Sequence, residues 1–176
     1  PDVEVGSEAW KLFLFELARE MTQKAGQKCT ATRRVFVPED KITGAIEELG
    51  ERLGEIRVGD PSRDDKARMG PLATPPQRRD ATAGLRTLET VAERVYGEDP
   101  GEAEGLAPIA PTVLLCREPE TADLVHELEV FGPIVTVMPY DGSAAAAARL
   151  VARGGGGLVA AVYTDDLEFS RACVEE

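Results

Sequence analysis

Two hydrophobic periodicities alternate along this chain, and together they restrict it to one class of fold. Apolar residues recur at steps of three and four from Trp10 to Met21, which predicts a helix capped by Ser7 and ended by Gly26. Short apolar runs predict strands at 33–38, 94–96, 111–116, 134–138 and 158–163. Further helices are predicted at 39–54, 76–92, 143–153 and 166–174. This alternation predicts an α/β fold with a largely parallel, twisted sheet flanked by helices.

The length of 176 residues predicts a single domain, spanning 1–176, with a sizeable buried core. The chain begins with Pro1 and has no basic stretch followed by an apolar run, so we expect no signal peptide. A start on proline also suggests a piece excised from a longer protein. No apolar run is long enough for a transmembrane helix.

The charge balance excludes two classes of partner. The formal net charge is −12 and the sequence pI is near 4.6. Binding to nucleic acid or to an anionic membrane requires an excess of lysine and arginine, which this chain lacks. A small-molecule substrate remains compatible with the composition.

Thiols and imidazoles are few. The chain has three cysteines, Cys29, Cys116 and Cys173, and one histidine, His126. A zinc site would need nearly all four, and the odd number and the spacing of the cysteines argue against a disulfide framework. We therefore expect no metal, reduced thiols and a cytoplasmic location. Cys116 and Cys173 are interpreted as buried packing residues.

Two segments are predicted to lie on the surface. Residues 56–76 are rich in glycine, proline and charge, and a connection of this length is usually functional or interfacial. Residues 97–107, and Glu98 to Glu104 in particular, form an acidic and glycine-rich stretch that predicts a mobile, solvated loop.

The segment AGQKCTATRR, residues 25–34, is the candidate for chemistry. Gly26 allows a sharp turn that presents Cys29 to a cavity, and Arg33 and Arg34 would favour a thiolate if they pointed inward. A thiolate attacks carbonyl carbon, and a neighbouring backbone N–H can stabilise the resulting oxyanion. The alternative is a buried cysteine that only packs against apolar neighbours, and spacing alone slightly favours it.

Four phrases in order resemble the aldehyde dehydrogenase superfamily. GQKCTATRRVFVP resembles its nucleophile segment, and ELEVFGPIVTVMPYD resembles its E-(I/V)-F-G-P segment with the following strand. VGDPSRDDKARMGPL and APTVLL resemble two less specific family phrases. The four matches span most of the chain.

The resemblance implies roles for four residues. Cys29 would be the nucleophile that forms a thiohemiacetal and then a thioester, which water or coenzyme A releases. Glu129 and Phe131 would contact the ribose and nicotinamide end of NADP or NAD, since a carboxylate accepts hydrogens from both ribose hydroxyls. Gln77 would approach the coenzyme, a weaker match. The alternatives are a solvated acid for Glu129 and a core aromatic for Phe131.

The chain also departs from the family pattern. Only 28 residues precede Cys29, so the family's glutamate base and its glycine-rich coenzyme turn are expected upstream of residue 1. The chain would then be a partial catalytic domain without the coenzyme-binding domain, inactive by itself. ARGGGGLVAAVYT stands where the family has an asparagine and a Y-G-L phrase. The resemblance further implies that the parent protein is a homo-oligomer.

Within the superfamily, three features resemble the dehydrogenase domain of the bifunctional ring-opening enzyme of bacterial phenylacetate degradation. They are the glycine run 154–157, the AGQKCTATRR phrase and His126 shortly before EVFGP. This branch implies an aldehyde linked to coenzyme A, NADP as coenzyme and a fused hydratase-type domain. His126 is interpreted as structural, or as a residue near the rim of the site, rather than as a base.

Two other functions remain as alternatives. One is a cysteine-dependent acyl-transfer or thioester-hydrolysing enzyme, which would not need Glu129 and Phe131 as a coenzyme pair. The other is a non-catalytic assembly module. The intact cysteine phrase argues against this second alternative for the parent protein.

Overall fold

The computed structural model describes residues 2–101, 105 and 107–175. Four residues of the predicted acidic loop 97–107, namely 102–104 and 106, lie outside the described residues. Those described form an α/β fold with a four-stranded, mostly parallel sheet between helices, as predicted.

The sheet orders its strands β1-β4-β3-β2, with β1 Arg34–Pro38, β2 Glu93–Tyr96, β3 Thr112–Leu115 and β4 Ile134–Tyr140. β1 runs parallel to β4, with Arg34 opposite Thr136, and β4 runs parallel to β3. β2 is antiparallel to β3 and closes one edge, with an irregular register between Arg94 and Tyr96. β1 forms the other edge.

Alternate residues of the central strands enter two separate cores, as expected for a sheet covered on both faces. Val113, Val135 and Val137 pack with Leu14 and Leu49 of the helices on one face. The opposite face contributes Leu114, Ile134 and Met138 to a core that includes Leu85 and Val130.

The described residues form six helices around the sheet: α1 Glu8–Thr22, α2 Ile42–Gly54, α3 Pro75–Leu88, α4 Leu124–Glu127, α5 Ala144–Ala152 and α6 Leu167–Glu175. Single 3₁₀ turns follow α1 at Gln23–Gly26 and precede α2 at Glu39–Lys41. The side chain of Ser7 accepts a hydrogen bond from the N–H of Trp10, so Ser7 is the predicted N-cap. The sequence did not predict α4, whose single turn is too short for a helical period.

The prediction of a strand at 158–163 was wrong. Leu158 and Val159 are 71% and 64% exposed, and the segment belongs to none of the strands that the structure describes. A groove lined by β1 on one side and by these residues on the other separates the two, so no ladder of backbone hydrogen bonds reaches the segment.

Two smaller predictions also need correction. Residues 56–76 are not entirely a surface connection, because Met69 and Leu72 are buried in the core next to α3. Cys116 is buried as predicted, whereas Cys173 is only partly buried.

A search of the described residues finds no helix that is both long and apolar enough to span a membrane.

Candidate active site

A left-handed turn presents Cys29. After α1, Lys24, Ala25 and Gly26 adopt φ values of 54°, 52° and 69°. Only glycine adopts such values without steric cost, so two strained side-chain-bearing residues precede the glycine. The turn leaves Cys29 exposed at its end, which excludes the buried-packing alternative. The backbone N–H of Cys29 makes no hydrogen bond with any residue that the structure describes, and is therefore free to bind an oxyanion.

The turn lies directly against the segment before β4. A Cβ atom on Gly26 would lie 2.2 Å from the carbonyl oxygen of Gly132. Only glycine permits this approach of two backbones. The contact brings residues 24–29, here called the Cys29 turn, to the EVFGP phrase, about a hundred residues later in the sequence.

Arg33 and Arg34 do not act as the sequence suggested. Arg33 donates hydrogen bonds to the carbonyl oxygens of Gly26 at 2.6 Å and of Gly132 at 3.2 Å. Arg34 donates to the carbonyl oxygens of Leu150 and Val151, at 2.8 and 3.0 Å. Both guanidinium groups are thus bound to backbone carbonyls, and within the described structure neither forms a hydrogen bond with the thiol of Cys29.

Glu129 and Phe131 are both accessible. The side chain of Glu129 is 53% exposed, and its Oε1 lies 3.8 Å from Nε of Arg33, which is longer than a hydrogen bond. Phe131 is 43% exposed, and the Arg33 guanidinium carbon lies 5.2 Å from its ring centroid. The exposure of Phe131 rules out a core aromatic.

One groove contains three of the four predicted site residues. Its volume is about 1240 Å³, and Cys29, Glu129 and Phe131 line it together with Arg33 and His126. A groove of this size accommodates a substantial ligand. Gln77 does not line it, and its Oε1 instead accepts a hydrogen bond from Thr74 at the start of α3.

His126 is buried and fully bonded. Its Nε2 lies 2.8 Å from the carbonyl oxygen of Pro119 and therefore carries the proton, so Nδ1 accepts from Arg34 at 3.1 Å. Burial lowers the pKa of His126, and the nearby cations Arg153 and Arg34 lower it further. These contacts agree with the interpretation of His126 as a structural residue.

The glycine run contributes one close contact that the sequence did not reveal. A Cβ atom on Gly154 would lie 1.8 Å from a terminal nitrogen of Arg34. Gly154 therefore leaves room for the Arg34 guanidinium group. A glycine run has several uses, and nothing in the sequence pairs Gly154 with Arg34.

Within the described part of the chain, no group of three or more His, Cys, Asp or Glu residues is placed to hold a metal ion.

Comparison with known proteins identifies the family. The sequence model of the aldehyde dehydrogenase family matches residues 11–176 of this chain. The chain belongs to this family. The match includes the Cys29 turn and the EVFGP phrase.

Individual relatives are consistent with this family. A 3,4-dehydroadipyl-CoA semialdehyde dehydrogenase from Aromatoleum evansii is 38% identical over 175 residues, which is 96% of this chain and 34% of that protein. A mutant of proline utilization A from Bradyrhizobium japonicum superposes with a TM-score of 0.79 at 26% identity, over 93% of this chain and 16% of that one. Lactaldehyde dehydrogenase from Escherichia coli gives a TM-score of 0.79 over 96% of this chain and 35% of that one, and at 22% identity supports the fold alone. The chain thus spans about a third of the length of the curated relative.

Proposed function

We propose that the parent protein oxidises an aldehyde to an acid through a thioester on Cys29, with NADP or NAD as hydride acceptor. One observation carries the proposal: an exposed cysteine on a strained turn shares one groove with Glu129 and Phe131. The family membership of the chain supports the same reaction.

The residues of this chain account for the first step. The thiol of Cys29 gives its proton to the general base that we assign to the rest of the parent protein. Its sulfur then adds to the aldehyde carbon, forming a C–S bond as the π electrons of the carbonyl move to its oxygen, which takes up negative charge. The unbonded backbone N–H of Cys29 is available to stabilise that oxygen. Loss of hydride from the same carbon gives the thioester, and attack by water releases the acid and restores the thiol.

Glu129 and Phe131 fit the coenzyme assigned to them. The Glu129 carboxylate is half exposed and has no hydrogen bond to Arg33, so its oxygens can accept from two ribose hydroxyls. Phe131 presents an apolar surface next to it. When bound, the nicotinamide accepts the hydride. Gln77 lies outside the groove, and its assignment to the coenzyme remains a prediction.

We further propose that the substrate is a semialdehyde linked to coenzyme A, from aromatic catabolism. The name of the Aromatoleum evansii relative states such a substrate for that protein. The three features that resemble the phenylacetate branch point the same way, and that branch also implies NADP as coenzyme. A fused hydratase-type domain and a homo-oligomeric, cytoplasmic parent belong to this proposal.

The organisation of the chain is part of the proposal. Residues 1–176 would form one nucleophile-bearing part of a catalytic domain, with the general base and the coenzyme-binding domain supplied by the rest of the parent protein. The isolated chain is therefore expected to be inactive.

The test uses the parent protein and follows the formation of reduced nicotinamide. It compares a semialdehyde linked to coenzyme A with a simple aliphatic aldehyde, in wild type and in Cys29→Ala. Turnover of the linked substrate with NADP, abolished in the variant, is the expected result. Turnover of the simple aldehyde alone would support aldehyde oxidation but refute the assignment to the phenylacetate branch. Undiminished activity of the Cys29→Ala variant would refute Cys29 as the nucleophile. Release of free coenzyme A from the linked substrate without reduced nicotinamide would favour the acyl-transfer or thioester-hydrolysing alternative.

A further inference from the structure

A single, partly buried guanidinium group connects the two halves of the candidate site. The Arg33 side chain is only 13% exposed. It donates to the carbonyl oxygen of Gly26 at 2.6 Å and, more weakly, to that of Lys28 at 3.4 Å, both in the Cys29 turn. Its other terminal nitrogen donates to the carbonyl oxygen of Gly132 at 3.2 Å.

The Cys29 turn needs an interaction of this kind. Lys24 and Ala25 adopt left-handed backbone conformations that L-residues disfavour, so the turn is not the local minimum of its own sequence. Strained backbone persists only where the surroundings hold it. Arg33 binds carbonyl groups on both sides of Gln27 and thereby holds the segment that leads to Cys29.

The same guanidinium group faces the two residues assigned to the coenzyme. Its Nε is buried, makes no hydrogen bond within the described structure and lies 3.8 Å from Oε1 of Glu129. Its central carbon lies over the Phe131 ring, 5.2 Å from the ring centroid. Arginine alone combines a planar, stacking cation with several donors in a fixed geometry, whereas lysine offers a point charge.

We propose that Arg33 is a positioning residue that holds the Cys29 turn and the Glu129–Phe131 segment in one arrangement, so that the nucleophile and the coenzyme meet at the same carbonyl carbon. This role rests on the proposed function, because it presumes that Cys29 and Glu129 serve the same reaction. Arg33 itself touches neither the substrate nor the thiol.

The first test compares Arg33→Ala, Arg33→Lys and Cys29→Ala in the parent protein. A misplacement of reacting groups by about 1 Å costs on the order of a hundredfold in rate. We therefore expect both Arg33 variants to lose at least about tenfold in kcat and to show a raised Michaelis constant for the coenzyme. Added guanidinium at sub-denaturing concentration should restore activity to Arg33→Ala, and methylammonium should not. Arg63, whose side chain is 87% exposed, supplies the control variant Arg63→Ala, expected to match wild type.

The second test uses this chain and does not depend on activity. Hydrogen exchange of the backbone amides is compared between wild type and Arg33→Lys, which keeps the charge and the stem in case Arg33→Ala fails to fold. The amides of Gln27 and Gly132, which donate to the carbonyl oxygens of Lys24 and Val130, should exchange at least about tenfold faster together, because one contact holds both segments, while those of β3 stay protected.

The outcomes separate the two proposals. Wild-type activity in Arg33→Lys, or faster exchange in only one of the two segments, would overturn the role of Arg33. If Cys29→Ala keeps its activity, the proposed function fails first. If Cys29→Ala is inactive and Arg33→Ala is not, the function stands and only the role of Arg33 is refuted.

Discussion

The two apolar segments 134–138 and 158–163 have similar composition, but the first is a buried strand and the second is an exposed segment outside the described strands. Ile134 and Met138 are 2% and 0% exposed, and their strand β4 lies between β1 and β3. Leu158, by contrast, is 71% exposed beside the groove. The first segment has hydrogen-bonded neighbours on both sides, and the second has none among the described strands. An apolar run therefore becomes a strand only where other strands supply its backbone partners.

The largest expected effect tests this difference with matched substitutions. Ile134→Ala and Leu158→Ala remove the same number of carbon atoms. Ile134→Ala should cost about 3 kcal/mol of unfolding free energy, because it leaves a cavity. Leu158→Ala should change it by less than about 0.5 kcal/mol, because the side chain is already in water. Urea unfolding of both variants checks this, and similar losses would mean that the segment 158–163 is also packed.

A second test asks whether the Cys29 turn belongs to the rigid part of the molecule. Gly26→Ala would place a methyl group 2.2 Å from the Gly132 carbonyl oxygen in a residue with φ of 69°. We expect a loss of about 2 kcal/mol in unfolding free energy.

Its control is Gly44→Ala in α2, where an added Cβ meets no atom within 4 Å. That change should stabilise the chain by up to about 1 kcal/mol. Equal values for the two alanine variants in urea unfolding would contradict the tight contact between Gly26 and Gly132, which precedes β4.

The glycine run provides a smaller effect. Gly154→Ala should displace the Arg34 guanidinium from its carbonyl partners and cost about 1 kcal/mol, the net contribution of such a hydrogen bond. Gly156→Ala is the matched control, because an added Cβ there meets nothing within 4 Å. Thermal unfolding compares the two, and identical melting temperatures would show that Arg34 has another position available.

The smallest expected effect is a pH dependence from His126. Its folded pKa lies below its ordinary value of 6.5, so the unfolded chain binds more protons in that window. Its contribution to stability is therefore complete above about pH 6.5 and declines as the pH falls through the folded pKa.

Urea unfolding between pH 8 and pH 5 in wild type and His126→Gln isolates the contribution of His126 to the pH dependence of the unfolding free energy. Arg34, Arg153, Asp123 and Glu120 face the imidazole or act on it, and they are unchanged in the variant. A shallower pH dependence in the variant is expected. Parallel curves would show that His126 titrates alike in both states.

Local patterns predicted much of this fold. Helical spacing located α1 with its cap at Ser7, and apolar runs located β1, β3 and β4, because those residues are buried in the same pattern in which they are spaced. The segment 158–163 shows where this reasoning fails, since strand formation depends on distant neighbours.

The candidate site also has one part that the sequence predicted and another that it did not. Cys29, Glu129 and Phe131 were found through family phrases, and the structure places all three in one groove. The partners of Arg33, the contact between Gly26 and Gly132 and the space for Arg34 at Gly154 involve residues far apart in sequence. No local pattern encodes such contacts.

The central claim is that Cys29 carries the acyl group. The most direct measurement mixes the parent protein with a coenzyme-A-linked semialdehyde and NADP, quenches the reaction in acid and analyses the cysteine peptides by mass spectrometry. The account predicts an acyl adduct on the peptide that contains Cys29 and none on those of Cys116, which is buried, or Cys173. An adduct on another residue, or turnover without any adduct on Cys29 in a protein whose Cys29→Ala variant stays active, would contradict it.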